Sequence, residues 1–343
     1  MPNLDEQQLK AQIKSGSFLN AYLIFGEEGY LKEYYVNKLR SKLVNPDFSD
    51  FNLHIHEEKN STLEEILMDA ALLPMMSEYS LVLVHDYPFK ESDDLDRLQA
   101  YFKEPSESTV LIFWCDIVEL DLKKNDKHKK LVNLFSKYAA AVELKKRSNY
   151  DIAKLVIAKA QKRGCSIGRA EADELIRIVG NDLNTVLNET EKICAYVQSG
   201  EITKKHINDL AVKSLQAYVF NLSNFIMNKN GDAAFKLLND LFYQQEEPVS
   251  ILAILNSSYV DVYRAKLAKQ AGAQPEELKE YFNYRGKDFL ISRAASRASS
   301  VSVTALRESM DLLSEADVKM KSTGIDGKLI LEETVSKLLA VRS

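Results

Sequence analysis

Residues 21–39, AYLIFGEEGYLKEYYVNKL, constrain the fold more than any other stretch of the chain. Ala21, Tyr22, Leu23, Ile24 and Phe25 form an unbroken apolar run closed by Gly26, the pattern of a central strand covered on both faces. An amphipathic helix follows Gly29, with Leu31, Tyr34, Tyr35 and Leu39 on one stripe. Strand, glycine turn and helix in this order are where nucleotide-binding α/β proteins hold phosphate. A working loop reads G-x-x-x-x-G-K-[ST]: backbone N–H groups cradle the phosphates, the lysine reaches the terminal ones and the hydroxyl holds Mg²⁺. Here the loop is Gly26-Glu27-Glu28-Gly29-Tyr30-Leu31-Lys32-Glu33. Its second glycine comes early, no Lys-Ser/Thr pair follows, and Glu27 and Glu28 stand where phosphate charge would go. The stretch predicts a nucleotide-binding scaffold without nucleotide chemistry.

From residue 1 to 147 strand-like and helix-like segments alternate, as in a parallel sheet with crossover helices. Strands are expected at Ala21–Phe25, Phe51–His56, Ser80–His85, Thr109–Trp114 and Ala140–Leu144, with helices near Tyr30–Lys42, Thr62–Leu73, Asp93–Lys103 and Asp126–Lys137. Ser61 and Glu64 read as a capping box for the second of these helices. After Leu144 the period becomes helical and stays so. Ser148 caps a helix from Tyr150 to Arg163, Gly180 closes Arg169–Val179 and Gly200 closes Leu183–Gln198; with Thr203–Ala211 these make a small module, 148–212. Longer helices fill 213–343: Tyr218–Asn228, Asp232–Tyr243, one opened by Pro248, Pro275–Phe282, and two beginning at Val303 and Lys328.

Composition excludes several classes. The net charge of −5, from 45 Lys and Arg against 50 Asp and Glu, argues against sequence-independent nucleic-acid binding as the main task. Cys115, Cys165 and Cys194 lie far apart without a C-x-x-C pair, so neither a disulfide framework nor a thiolate zinc site is expected. The opening MPNLDEQQLK lacks the basic and apolar regions of a signal peptide, and no stretch is apolar enough to span a bilayer. The expectation is a protein of the reduced cytoplasm with no membrane contact. No Ser/His/Asp order, nucleophile elbow or H-E-x-x-H appears.

Other candidate residues have plain structural readings. His54 and His56, two apart on a strand, share a face and could ligate a metal, but no third ligand is visible. Their alternation with Phe51, Leu53 and Ile55 describes the polar side of a half-buried strand. Asp116 and Glu119 follow the strand ending at Trp114, where an ATPase holds acidic groups beside Mg²⁺; without a phosphate loop they read as solvated carboxylates. Lys123, Lys124, Lys127, Lys129 and Lys130 form the densest basic cluster, a solvated face or a DNA contact. Arg285, Lys287, Arg293 and Arg297 form a second group with the same two readings.

The most informative stretch is Leu72-Leu73-Pro74-Met75-Met76-Ser77-Glu78-Tyr79, directly before the strand Ser80-Leu81-Val82-Leu83-Val84. Pro74 should end the preceding helix and leave Met75 and Met76 in a connection, where side chains normally face solvent. Either one Met packs beneath the turn, or the pair is an exposed apolar plug for a partner's pocket, a task suited to the adaptable thioether.

At this point the chain resembles, from end to end, the delta subunit of the bacterial DNA polymerase III clamp loader. The likeness rests on Tyr22-Leu23-Ile24-Phe25-Gly26-Glu27-Glu28-Gly29-Tyr30-Leu31 and Leu73-Pro74-Met75-Met76-Ser77 before a Leu/Val strand. It continues in Gly180-Asn181-Asp182-Leu183 with Glu189-Thr190-Glu191-Lys192-Ile193, then Glu315-Ala316-Asp317-Val318-Lys319-Met320-Lys321-Ser322 with Leu331-Glu332-Glu333. The resemblance implies an α/β plus all-α protein in three parts. These are an AAA+-like parallel-sheet domain at 1–147 lacking a functional P-loop (Gly26, Glu27, Glu28, Gly29), a small helical lid domain at 148–212 and a helical collar domain at 213–343. It implies a subunit that is not an enzyme by itself and needs no cofactor and no metal, within a machine that serves the DNA polymerase holoenzyme.

The partners implied are the sliding clamp (the β subunit), the ATPase motor subunits and delta-prime, and primer-template DNA within the assembly. The family's clamp-binding pair carries over onto Met75 and Met76, with Leu72 and Leu73 beside them. The family pair commonly includes Phe, so Met-Met departs from it mildly. Lys123, Lys124 and Lys127 are the candidate DNA contacts. The rival readings are an ATPase with a degenerate loop and a DNA-binding module of the related type. Delta-prime is a closer rival, but it typically carries a zinc-binding cysteine cluster and a Ser-Arg-Cys motif. Ser292-Arg293-Ala294 is no substitute.

Overall fold

The computed structural model describes residues 4–57, 61–89, 94–282, 284 and 288–342. It divides into two compact units, Met1–Lys146 and Arg147–Ser343. In the first, strands β1 (Ala21–Phe25), β2 (Leu53–Glu57), β3 (Ser80–His85), β4 (Thr109–Trp114) and β5 (Ala140–Glu143) form one sheet in the order β2-β3-β4-β1-β5. Every pairing is parallel, with Leu23 opposite Phe113 and Ala141, and Leu83 opposite Ile112 and Ile55. All five β1 residues are buried. On one face Leu23, Val82, Leu111 and Phe113 meet Ile66, Leu98, Leu131 and Phe135 from helices Leu63–Ala70, Asp94–Lys103 and Asp126–Tyr138. Helices Glu6–Ser15 and Gly29–Leu43 pack against strands of the same sheet.

Four expectations need correcting. On helix Gly29–Leu43 Val36 is buried and Tyr34 is 42% exposed, so the apolar stripe runs Leu31, Tyr35, Val36, Leu39 and Leu43. Strand β2 starts at Leu53, because Ser49–Asn52 forms a helical turn, and its two faces are the reverse of the sequence reading: Phe51 and Ile55 are exposed. His56 turns instead towards helix Leu63–Ala70, its Nε2 2.8 Å from Asp69 Oδ2 and its Nδ1 2.8 Å from Ser61 Oγ, with His54 Nδ1 3.6 Å from the same carboxylate oxygen. Pairing with the half-buried carboxylate of Asp69 outweighs the apolar preference on an edge strand. Because Ser61 faces His56, the capping box is made one residue later, by Thr62 and Glu65.

In the second unit Ser148, Asp182 and Thr203 cap helices Asn149–Lys162, Leu183–Val197 and Lys204–Leu210. Helix Arg169–Val179 ends at Gly180, and Gln198, in left-handed conformation, ends the next helix in place of Gly200. Two three-residue strands, β6 (Cys165–Ile167) and β7 (Gly200–Ile202), pair in parallel and are too short to leave a period in the sequence. The rest is helical: Leu215–Met227, Gly231–Tyr243, Pro248–Gln270, Asp288–Ala298, Val303–Ser322 and Gly327–Ala340. They share a core containing Leu222, Leu238, Leu255, Tyr259, Leu306, Leu313, Leu331 and Val335. Pro275–Glu277 is a 3-10 turn leading into Leu278–Tyr281, shorter than the single helix expected. The three cysteines are free and buried.

Candidate functional site

Helix Leu63–Ala70 ends four residues before Pro74, and the turn to β3 presents a run of apolar side chains. Leu72 is 50% exposed, Leu73 81%, Met75 54% and Met76 80%. Neither methionine packs beneath the turn. Phe51, 58% exposed, precedes the residue that anchors them.

That residue is Asn52, fully buried at the end of the Ser49–Asn52 turn. Its Oδ1 accepts the Met75 N–H at 2.7 Å; its Nδ2 donates to the Met75 carbonyl at 2.8 Å, to Ser77 Oγ at 3.0 Å and to the Phe48 carbonyl at 3.2 Å. At the other end of the turn the hydroxyl of buried Thr109, the first residue of β4, donates to the Leu72 carbonyl at 3.3 Å. Met76 holds a φ of +51°, rare for an unbranched L-residue and costing of order 1 kcal/mol. The backbone is fixed and the side chains are free, which lowers the ordering cost of docking. Sequence reasoning missed Asn52 and Thr109. Asn52 fell inside the strand expected at Phe51–His56, and its partner lies 23 positions away.

The glycine turn after β1 is closed. Gly26 adopts a φ of +120°, and a Cβ there would stand 2.3 Å from the Leu144 carbonyl oxygen. The same oxygen accepts the Glu28 N–H at 3.0 Å, and the Leu144 N–H donates to the Phe25 carbonyl at 2.7 Å. Lys32, 3% exposed, donates from Nζ to the carbonyls of Cys115 at 2.9 Å and Asp116 at 3.0 Å, and sits 3.2 Å from Asp116 Oδ1. Asp116 is therefore an ion-pair partner, whereas Glu119 remains in the connection between β4 and the next helix. The buried carboxylate of Asp86, just after β3, accepts the N–H groups of Asp116, Ile117 and Val118 at 2.7, 2.9 and 3.0 Å. Burial, with the Asp86 charge beside it, pushes the Cys115 thiol up to about 12. A phosphate-binding end of a sheet needs free N–H groups and a free lysine; here the Glu28 N–H and Lys32 are engaged by the chain itself. Lys32 and Asp86 were also missed, although Lys32 lies on the apolar stripe of its helix, one turn before Tyr35 and Val36.

Elsewhere the candidates separate. Lys123 and Lys124 are exposed and their N–H groups donate to Asp121 Oδ1, Lys127 is half-buried, and Lys129 pairs with Asp126 at 2.9 Å. Arg285 and Lys287 lie outside the described residues. Arg297 is 9% exposed, which corrects its reading as a solvated face. Among the described residues no group of three or more His, Cys, Asp or Glu could hold a metal ion, and no helix is long and apolar enough to cross a membrane.

Comparison with known proteins gives concordant matches. Residues 22–145 match the family model for the DNA polymerase III delta subunit, and residues 216–338 that for the delta subunit's C-terminal domain. The chain is 26% identical over 336 residues to DNA polymerase III subunit delta of Bacillus subtilis, covering 95% of each. It is 21% identical over 258 residues to a probable DNA polymerase III subunit delta of Aquifex aeolicus, covering 73% of this chain and 72% of the relative. The solved structure of the Bacillus subtilis DNA clamp loader delta protein has the same fold, with a TM-score of 0.63 at 24% identity, covering 97% of this chain and 99% of that one.

Proposed function

The chain belongs to the DNA polymerase III delta subunit family, and on that premise we propose that it binds the ring-shaped sliding clamp through Met75 and Met76, flanked by Leu72 and Leu73. It is a clamp-loader component in DNA replication and not itself catalytic. In this reading the turn enters an apolar pocket on the clamp and favours the clamp's open form. ATP is handled by motor subunits elsewhere in the loader.

The observation that carries the reading is the exposure of four consecutive-neighbourhood apolar side chains on a turn whose backbone Asn52 and Thr109 hold from beneath. Burying two methionine side chains contributes roughly 3–6 kcal/mol before ordering costs. Affinity alone does not open a ring: the open form must be bound more tightly than the closed one, since equal affinity shifts nothing. Exposed Phe51, Ile55 and Met68, from neighbouring elements, are the side chains we assign to that difference. Residues 1–147 act as the clamp-binding domain, 148–212 as a lid-like module and 213–343 as the collar that joins the motor subunits and delta-prime. Lys123, Lys124 and Lys127 are the proposed contacts to primer-template DNA within the assembly. The closed turn at Gly26 and the engaged Lys32 support a role without nucleotide.

The test is the affinity of the purified chain for the clamp of the same cell, without ATP, with Met75→Ala/Met76→Ala alongside. Tight wild-type binding and a loss of about a hundredfold or more in a mutant with unchanged circular dichroism is the expected result. A double mutant that binds as the wild type does would refute the site.

A further inference from the structure

Within the helical bundle of the second unit, two guanidinium groups lie over the Phe220 ring, Arg297 at 3.7 Å and Arg293 at 4.1 Å from its centre. Arg297 is nine-tenths buried, and among the described residues no carboxylate pairs with it. Its hydrogen bonds are long and to neutral groups, Ser223 Oγ at 3.4 Å and the Phe220 carbonyl at 3.3 Å. Burial, with the Arg293 charge next to it, pushes Arg297 down to about 10, which leaves it charged at neutral pH. A buried charge without a counter-charge costs stability that a bound anion returns.

A cavity of about 580 Å³ adjoins this guanidinium, between helices Leu215–Met227, Pro248–Gln270 and Asp288–Ala298. Gln216, Asn256, Ser257 and Ser258 line it with amides and hydroxyls, and Ser257 is exposed, so solvent reaches it. The carboxylate in the lining, Asp261, is already engaged: the Tyr284 hydroxyl donates to it at 2.5 Å and Arg264 Nη1 lies 3.7 Å away. The lining therefore carries more positive than negative charge.

We propose that this cavity binds a phosphate-type oxyanion, with Arg297 as its charge anchor and the Gln216 and Asn256 amides as surrounding donors; the Ser257 and Ser258 hydroxyls donate to the Ala253 carbonyl and to Ser223 Oγ and only line the wall. The planar guanidinium fork suits two oxygens of such an anion. A tetrahedral phosphate has further oxygens beyond the two that the fork takes, and so more acceptor sites for the Gln216 and Asn256 amides than a carboxylate offers. The cavity exceeds a single phosphate in size, so the anion is one carried on a larger molecule, either a nucleic-acid backbone or a free phosphorylated compound. This site is separate from the methionine turn and does not depend on what that turn binds.

Inorganic phosphate is the probe. Compared with sodium chloride of equal ionic strength, it is expected to raise the thermal unfolding midpoint of the full chain, because a ligand of the folded state stabilises it by mass action. Arg297→Gln should weaken phosphate affinity about tenfold or more. Ser257→Glu sets a carboxylate in the solvent-exposed mouth without touching the core, should do the same, and carries the test if the arginine variant does not fold. A phosphate effect no larger than that of chloride, or phosphate affinity unchanged in Ser257→Glu, overturns the proposal. If Ser257→Glu also weakens binding of a short single-stranded DNA, and phosphate competes with that DNA, the backbone is the source. If DNA binding is unchanged while phosphate binding is lost, the ligand is a free phosphorylated molecule.

Discussion

The side chain of Asn52 grips the backbone of Met75 in both directions, accepting its N–H at 2.7 Å and donating to its carbonyl at 2.8 Å. The carboxamide thus pairs with one residue as a neighbouring strand would, from a position that is fully buried. Asn52→Ala removes the partner of both groups and of Ser77. We expect about 2 kcal/mol less stability in urea unfolding and about tenfold weaker clamp binding with both methionines still in place. Undiminished affinity in the folded variant would reduce Asn52 to a purely structural residue.

Gly26→Ala should be strongly destabilising. The new methyl group would stand 2.3 Å from the Leu144 carbonyl oxygen, at a φ of +120° that L-residues avoid. A loss of about 3 kcal/mol or more, read from the denaturant midpoint, is the expected outcome. A midpoint within error of wild type would mean that β1 and the segment after β5 are not held together there.

Lys32→Met tests the closed phosphate loop from the other side. The substitution strands the Cys115 and Asp116 carbonyls and leaves Asp116 Oδ1 without its cation, so about 2–3 kcal/mol of stability should go. In the wild type, Mg²⁺ with ATP should leave the unfolding midpoint where it was, because no binding means no mass-action stabilisation. A midpoint that climbs with ATP concentration would restore the nucleotide-binding reading.

The start of helix Leu63–Ala70 carries a pH dependence. Hydrogen bonds from the Thr62 N–H and hydroxyl to Glu65 hold its carboxyl below the ordinary value of 4.5. A group whose folded value is depressed stabilises the fold above its unfolded value and loses that contribution as pH falls through the folded one. Glu65→Gln keeps an acceptor at the cap but cannot titrate, so its stability should fall less steeply than that of wild type below pH 4.5. Parallel acid limbs for the two proteins would show the cap to be silent.

The central strands were legible because a strand buried on both faces reads as an uninterrupted apolar run, and β1, β3 and β4 fall within the bounds their sequences suggest. Strand β2 was misjudged because it lies at the sheet edge. There Ile55 is left exposed and His56 is held by Asp69, a partner thirteen positions on that periodicity does not reveal. Helix Asp288–Ala298 was not delimited, since its basic residues masked a face containing Ile291, Ala294 and Ala298. At the turn, sequence singled out Leu72, Leu73, Met75 and Met76 but could not say whether they were covered. What holds them, Asn52 and Thr109, comes from elements remote in the chain.

The sheet spends Lys32 and Asp86 on its own carbonyls and amides. In the proposed reading the methionine turn owes its shape to Asn52 and Thr109 and not to a nucleotide. Timing, in that reading, is a matter of traffic: whichever neighbour covers or uncovers residues 72–76 decides when the turn is heard.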